Sequence, residues 1–313
     1  MNRQVRLFLC LAALCVCVFA RPGVNDVSKP VEKLEIIEIK DTYLGLLCTP
    51  DRPLKLPDHH DKGVNEKPSD PVPTKDEEET KPVNERYPHA VLFGGTCGGT
   101  IISPTWILTA AHCTLFTGGR YVLAGTNNTE DGTGFTRHVK RLVVHPRFSV
   151  GPYWLDAKRF NIDQVAARFD FLLAELDEPL PLDGKTMVAA KLNDVSRLIP
   201  QTNVGYAGYG AEHHGETMRH EMHGMELSIL SEEECAALEE YDSEDMICAK
   251  GRPPRFDSAC NGDSGSGLVD ENGVLVGIAS WVENDATECR NGNIVYFSKV
   301  STARDWIRKV TKV

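Results

Sequence analysis

From Tyr87 onward, short apolar and β-branched runs recur at close spacing. They include Ala90-Val91-Leu92-Phe93, Gly99-Thr100-Ile101-Ile102, Trp106-Ile107-Leu108-Thr109 and Arg120-Tyr121-Val122-Leu123, punctuated by glycine and proline. Many short strands set this closely predict an all-β sandwich or barrel. The convincing helical period lies at the end of the chain. Ser301 or Thr302 serves as N-cap, followed by Ala303 to Val310 with Trp306, Ile307 and Val310 on one face. Residues 21–86 have a different texture, with many prolines and the acid run Asp76-Glu77-Glu78-Glu79. Such a composition cannot bury enough apolar surface to offset chain entropy, so a pro-segment or flexible N-terminal extension is expected there. Leu34 to Ile39 is its one strand-like stretch. Residues 1–20 read as a signal peptide: Arg3 and Arg6, an apolar run from Leu7 to Phe19, and Val18-Phe19-Ala20 before the cut.

A leader of this kind predicts a secreted, extracellular protein with no membrane association. Its removal takes away two arginines and no acid, moving the net charge from −11 to −13. That balance argues against a nucleic-acid partner, since such binding rests on neutralising phosphates. Of ten cysteines, Cys10, Cys15 and Cys17 leave with the leader. Seven remain for an oxidising compartment, an odd number that leaves one over.

Three short stretches carry candidate chemistry. In Cys260-Asn261-Gly262-Asp263-Ser264-Gly265-Ser266-Gly267 a serine sits among glycines. Glycine lets backbone N–H groups approach a reacting carbonyl oxygen, so Gly262 and Ser264 could form an oxyanion hole. A plain Gly/Ser turn between strands would look similar. A lipase-type elbow is excluded, because the second residue after the serine is Ser266 rather than glycine. The second stretch is Thr109-Ala110-Ala111-His112-Cys113. The third is Phe169-Asp170-Phe171-Leu172-Leu173, where an aspartate opening an apolar strand must be paired if it is buried. Singly, His112 and Asp170 could both be structural. In the order His112, Asp170, Ser264 they supply base, orienting carboxylate and nucleophile. His220-Glu221-Met222-His223 and Glu212-His213-His214 resemble metal ligands but lack the HExxH spacing of a zinc protease, so neither a metal nor another cofactor is expected. Asn127-Asn128-Thr129 is an N-glycosylation sequon at Asn127.

With Cys97-Gly98-Gly99, Gly205 to Gly210, Met246 to Ala249, Ser280-Trp281 and Trp306-Ile307 added, residues 87–313 resemble the chymotrypsin/trypsin-like serine proteases. The resemblance implies two six-stranded antiparallel β-barrels, roughly 87–195 and 196–300, with a C-terminal α-helix. It implies a secreted endopeptidase acting on protein or peptide substrates through an acyl-enzyme. His112, Asp170 and Ser264 would be catalytic, with Gly262 and Ser264 as the oxyanion hole. It also implies the disulfides Cys97–Cys113, Cys235–Cys248 and Cys260–Cys289. Cys48 is left for a free thiol or a bond to a protein partner. Val204 and Asp270 stand where the family often has a further bridge. The primary specificity pocket would have Ser258 at its base and Val282 and Ile294 as walls, which predicts small aliphatic residues before the scissile bond. The chain between Phe148 and Asp170 is longer than usual and carries Tyr153 and Trp154. In the family a new N-terminus reading Ile-Val-Gly-Gly, or close to it, pairs with the aspartate before the nucleophile, here Asp263. No such sequence occurs, and Asp76-Glu77-Glu78-Glu79 follows Lys75 where the cut would fall. The alternative expectation is therefore a zymogen-like or weakly active homologue acting as a binding or regulatory protein.

Overall fold

The computed structural model describes residues 37–38, 81–115, 120–149, 167–195, 198–213, 216–237, 241–282 and 293–313. The expected signal peptide, most of the N-terminal extension, Cys48, the stretch bearing Tyr153 and Trp154, and Cys289 lie outside them.

Two closed antiparallel barrels follow one another along the chain. The first is built from β2 (Ala90–Phe93), β3 (Cys97–Ser103), β4 (Trp106–Thr109), β5 (Tyr121–Ala124), β6 (Phe135–Val144) and β7 (Leu172–Leu176). They lie in the order β6-β5-β2-β3-β4-β7, and pairing of β6 with β7 closes the sheet. A two-residue strand from the extension, β1 (Ile37–Glu38), adds to β6 with Ile37 opposite Val144. It falls inside the predicted Leu34–Ile39 stretch. The second barrel contains β9 (Asn203–Gly208), β10 (His223–Ile229), β11 (Met246–Gly251), β12 (Gly267–Asp270), β13 (Val274–Val282) and β14 (Val295–Lys299), closed by β12 against β13. The expected break near residue 195 is too late. β8 (Lys191–Leu192) already runs parallel to β13 on the second sheet. Val204 and Asp270 face each other across β9 and β12, held by the ladder without a disulfide.

Closing a sheet on itself sends side chains into a filled interior. Ile101, Ile107, Leu108, Leu172, Leu173 and Leu176 are buried on strands of the first barrel, on its inner or outer face; Tyr206, Leu227, Leu268 and Phe297 are buried on strands of the second. Disulfides join Cys97 to Cys113 and Cys235 to Cys248. Cys260 is also disulfide-bonded. Short helices α1 (Val83–Arg86) and α2 (Glu232–Cys235) flank the barrels, and α3 (Val300–Thr311) ends the chain. α3 starts earlier than its sequence signals suggest. β14 runs straight into it through Lys299, whose N–H donates to the Asp245 carbonyl. Thr302 then bonds the Lys299 carbonyl instead of capping the helix.

Two buried histidines make the fold acid-sensitive. His145 packs against Phe169 and Trp306, and its Nδ1 accepts the Arg147 N–H, which requires the neutral ring. Burial, with help from the Arg147 charge, lowers its pKa to about 4; burial does the same to His89. Between the unfolded value near 6.5 and about 4, the unfolded chain binds protons that the native state refuses, so stability falls as pH falls. The loss is roughly 3 kcal/mol per histidine once pH is below 4. Urea midpoints should drop steeply from pH 7 to 4.5, and His145→Phe should flatten that drop.

Candidate active site

His112 lies in a 3₁₀ turn (Ala111–Leu115) after β4, fixed on one side by the Cys97–Cys113 bond. Asp170 lies just before β7, and the β4–β7 ladder (Thr109 opposite Leu172) brings the two together. Both are buried. Asp170 Oδ1 accepts the His112 backbone N–H at 2.9 Å, and Oδ2 lies 2.6 Å from His112 Nδ1. A carboxylate only accepts, so Nδ1 carries the proton and Nε2 is left as the basic nitrogen. Burial alone would raise the Asp170 pKa. The charge and hydrogen bonds of His112, with the Ser280 hydroxyl at 2.6 Å, outweigh it and hold the carboxyl below its usual range. Ser280 belongs to β13, so both barrels hold this carboxylate. The sequence marked Ser280-Trp281 only as a family motif; its hydroxyl's role has no local signal.

Ser264 is half-buried in the turn before β12. Its carbonyl accepts the Gly98 N–H at 2.8 Å, tying the turn to the first barrel. The approach is close: a Cβ on Gly98 would lie 2.1 Å from Ser266 Oγ. The N–H groups of Asp263, Gly265 and Ser266 donate to Cys260, Ala279 and Asp263 carbonyls. Those of Gly262 and Ser264 have no acceptor among the described residues. Gly262 has φ +103°, which few side chains tolerate, and the Met218 side chain packs against the face where its Cβ would stand. Met218 sits in a His- and Glu-rich loop, and nothing in the sequence singled it out. Asp263 is fully buried, its carboxylate accepting the N–H groups of Gly210 (3.1 Å) and Cys260 (3.0 Å).

Ser258 is buried, and its hydroxyl donates to the Asn293 carbonyl at 3.3 Å. Asp257 beside it is committed elsewhere: its carboxylate takes the Arg255 guanidinium and the Glu226 N–H. Val282 ends β13 opposite Val295, and Ile294 directly precedes that strand. Trp281 and Tyr296 stack nearby with ring centroids 3.8 Å apart. Asn127 turns its carboxamide oxygen to the Asn84 N–H, tying the sequon to α1. Cys97, His112 and Cys113 form a grouping of metal-ligand types, but both sulfurs are spent in the disulfide. His220 faces Glu130 and the Thr129 hydroxyl.

Two closed barrels, a buried His–Asp pair and a serine in a glycine turn are the arrangement found in serine hydrolases of the two-barrel type. The Trypsin family model matches residues 76–307, and the chain belongs to that family of serine-type endopeptidases. It is 72% identical to Scolexin B of Heliothis virescens over 74% of this chain and 81% of the relative. It is 34% identical to a trypsin of Simulium vittatum over 59% of this chain and 70% of that one. Glucanase inhibitor protein 1 of Phytophthora infestans is 30% identical over 69% of this chain and 78% of that one. In fold the chain matches neuropsin, a serine protease expressed in mouse brain, with TM-score 0.59 and 23% identity over 72% of this chain and 95% of that chain.

Proposed function

We propose that the protein is a secreted endopeptidase in which Ser264 attacks the scissile carbonyl. His112 accepts the Ser264 proton and passes it to the leaving amine. Asp170 fixes the imidazole, and the Gly262 and Ser264 N–H groups bind the oxyanion. The observation that carries this reading is the 2.6 Å contact between His112 Nδ1 and Asp170 Oδ2. Fluorophosphonate labelling of the secreted form tests it: covalent modification at Ser264, abolished by Ser264→Ala, is the expected result.

The primary pocket is read as selecting small aliphatic residues. Ser258 brings no charge, Asp257 is neutralised by Arg255, and Val282 and Ile294 narrow the walls. Size discrimination in such a slot is worth about 1–3 kcal/mol per methylene. A peptide library should therefore favour Ala or Val before the cut, and a clear Arg/Lys preference would refute the reading.

Activation by the family's usual cleavage is not expected. Cutting after Lys75 would present four acids to the buried Asp263, where like charges repel and desolvation is costly. The N–H groups of Gly210 and Cys260 already hold the Asp263 carboxylate. Trypsin treatment, followed by N-terminal sequencing and ester hydrolysis, should give cleavage without a large rise in rate. A jump coincident with cleavage after Lys75 would count against this. The same acid run favours a second reading, a weakly active homologue that binds a partner; absence of labelling at Ser264 would select it.

A further inference from the structure

Asp170 does not sit on regular backbone. Phe171 N–H donates to the Phe169 carbonyl at 2.8 Å, making Asp170 the apex of a three-residue turn. The residue before it, Phe169, has φ +47°, a left-handed conformation that is rare for a bulky side chain. Something outside this segment must hold it. Asp245, which is fully buried in the turn before β11, does so from the second barrel. Its Oδ2 accepts the Phe169 N–H at 2.5 Å, and its Oδ1 accepts Arg168 Nε at 2.7 Å and the terminal guanidinium nitrogen at 2.6 Å. Asp245 is itself anchored, because its carbonyl accepts the Lys299 N–H where β14 becomes α3. Arg168 is held at the other end by paired backbone hydrogen bonds with Ser149. The Phe169 ring stacks on His145 and carries the Arg147 guanidinium 3.8 Å from its centroid.

We propose that Asp245 is a positioning residue for catalysis. Through Arg168 and the left-handed Phe169 it sets the Asp170 carboxylate on His112. The inference rests on reading Asp170 as the residue that orients His112. A carboxylate is suited to the task because two adjacent groups, one side-chain fork and one backbone N–H, are bound by a single rigid acceptor. An acid 75 residues away thereby determines where the apex of the turn points. The buried charge is matched by Arg168, with Asp242 at 2.9 Å as that guanidinium's outer partner.

The test is Asp245→Asn, read in two independent ways. The low-field NMR signal of the His112 Nδ1 proton should move upfield. Fluorophosphonate labelling of Ser264 should slow by roughly 10- to 100-fold, the scale of a catalytic group displaced by about 1 Å. For a turned-over peptide the fall should appear in kcat with KM unchanged. Adding Phe169→Asn should restore much of the rate, since asparagine tolerates the left-handed region, although loss of the stacked ring lowers stability further. A merely structural role would predict the opposite. Arg168→Lys keeps the charge without the fork; it should shift both readouts in the same direction by less, and it serves if Asp245→Asn does not fold. The proposal is overturned if these variants leave the proton signal and labelling rate at wild-type values. It is also overturned if the loss tracks Tm and Phe169→Asn deepens it. If wild type does not label at all but the proton signal still moves in Asp245→Asn, the positioning role stands and the endopeptidase reading falls.

Discussion

Ser264→Ala is expected to lower peptide turnover by about 10⁶-fold and leave the protein folded. The two halves of that expectation have separate causes. What Ser264 contributes to the architecture is its carbonyl, which accepts the Gly98 N–H, and alanine keeps it. The deleted atom is the proposed attacking oxygen, and nothing nearby replaces it. Ser266 lies two residues on, but it is fully buried on the far side of the turn against Gly98 and Gly208. Melting temperature and hydrolysis should both be measured on the purified protein. Equal hydrolysis by variant and wild type would remove Ser264 from the mechanism.

Asp170→Asn should cost about 10⁴-fold in kcat with little change in KM. The geometry gives the reason. Oδ1 faces a fixed donor, the His112 backbone N–H, so the asparagine oxygen must take that place. The amide NH₂ is then directed at His112 Nδ1 and the Ser280 hydroxyl. The hydroxyl can rotate to accept, whereas the imidazole can only shed its Nδ1 proton. The proton moves to Nε2, the nitrogen that must receive the Ser264 proton, and the base is lost although the ring stays in place. A crystal structure superposing on wild type, together with the kinetic loss, is the expected pair of results. Wild-type kcat would show that the tautomer is set elsewhere.

Strands of the first barrel were legible because residues 90–93, 99–102, 106–109 and 120–123 are apolar or β-branched runs set off by glycine and proline, whereas the second barrel came from the family resemblance. His112, Asp170 and Ser264 were legible by a different route. Each lies in a distinctive local stretch, and their order along the chain is informative even before the ladder of β4 and β7 brings two of them together. Interactions across the chain were not legible. Arg168 and Asp245 are ordinary charged residues in sequence, and only the approach of the β11 turn to the segment before β7 makes them a pair. Phe169 gave no warning of a left-handed backbone, since that conformation is imposed by Asp245 rather than preferred by phenylalanine. The start of α3 was misplaced for a related reason: Ser301 and Thr302 look like caps, but continuity with β14 through Lys299 decides where the helix begins. β8 escaped because two residues carry no period.

The short strand β1 makes the outer edge of β6 depend on the extension staying attached. β5 pairs with β6 over residues 135–138, and Ile37 and Glu38 occupy the same edge farther along, beside Val144 and Val143. In an intact chain the strand and its acceptor share one molecule, so their effective concentration is set by the tether and not by dilution. A cut between residues 38 and 81 makes the same contact bimolecular, and a ladder of two residue pairs cannot hold two separate chains together. The fragment leaves, and the outer edge of β6 loses its partner at this point, while the pairing of Val143 and Val144 with Leu173 and Leu172 of β7 persists. Trimming this protein therefore strips β6 of its outer strand there, whatever it does to the catalytic centre.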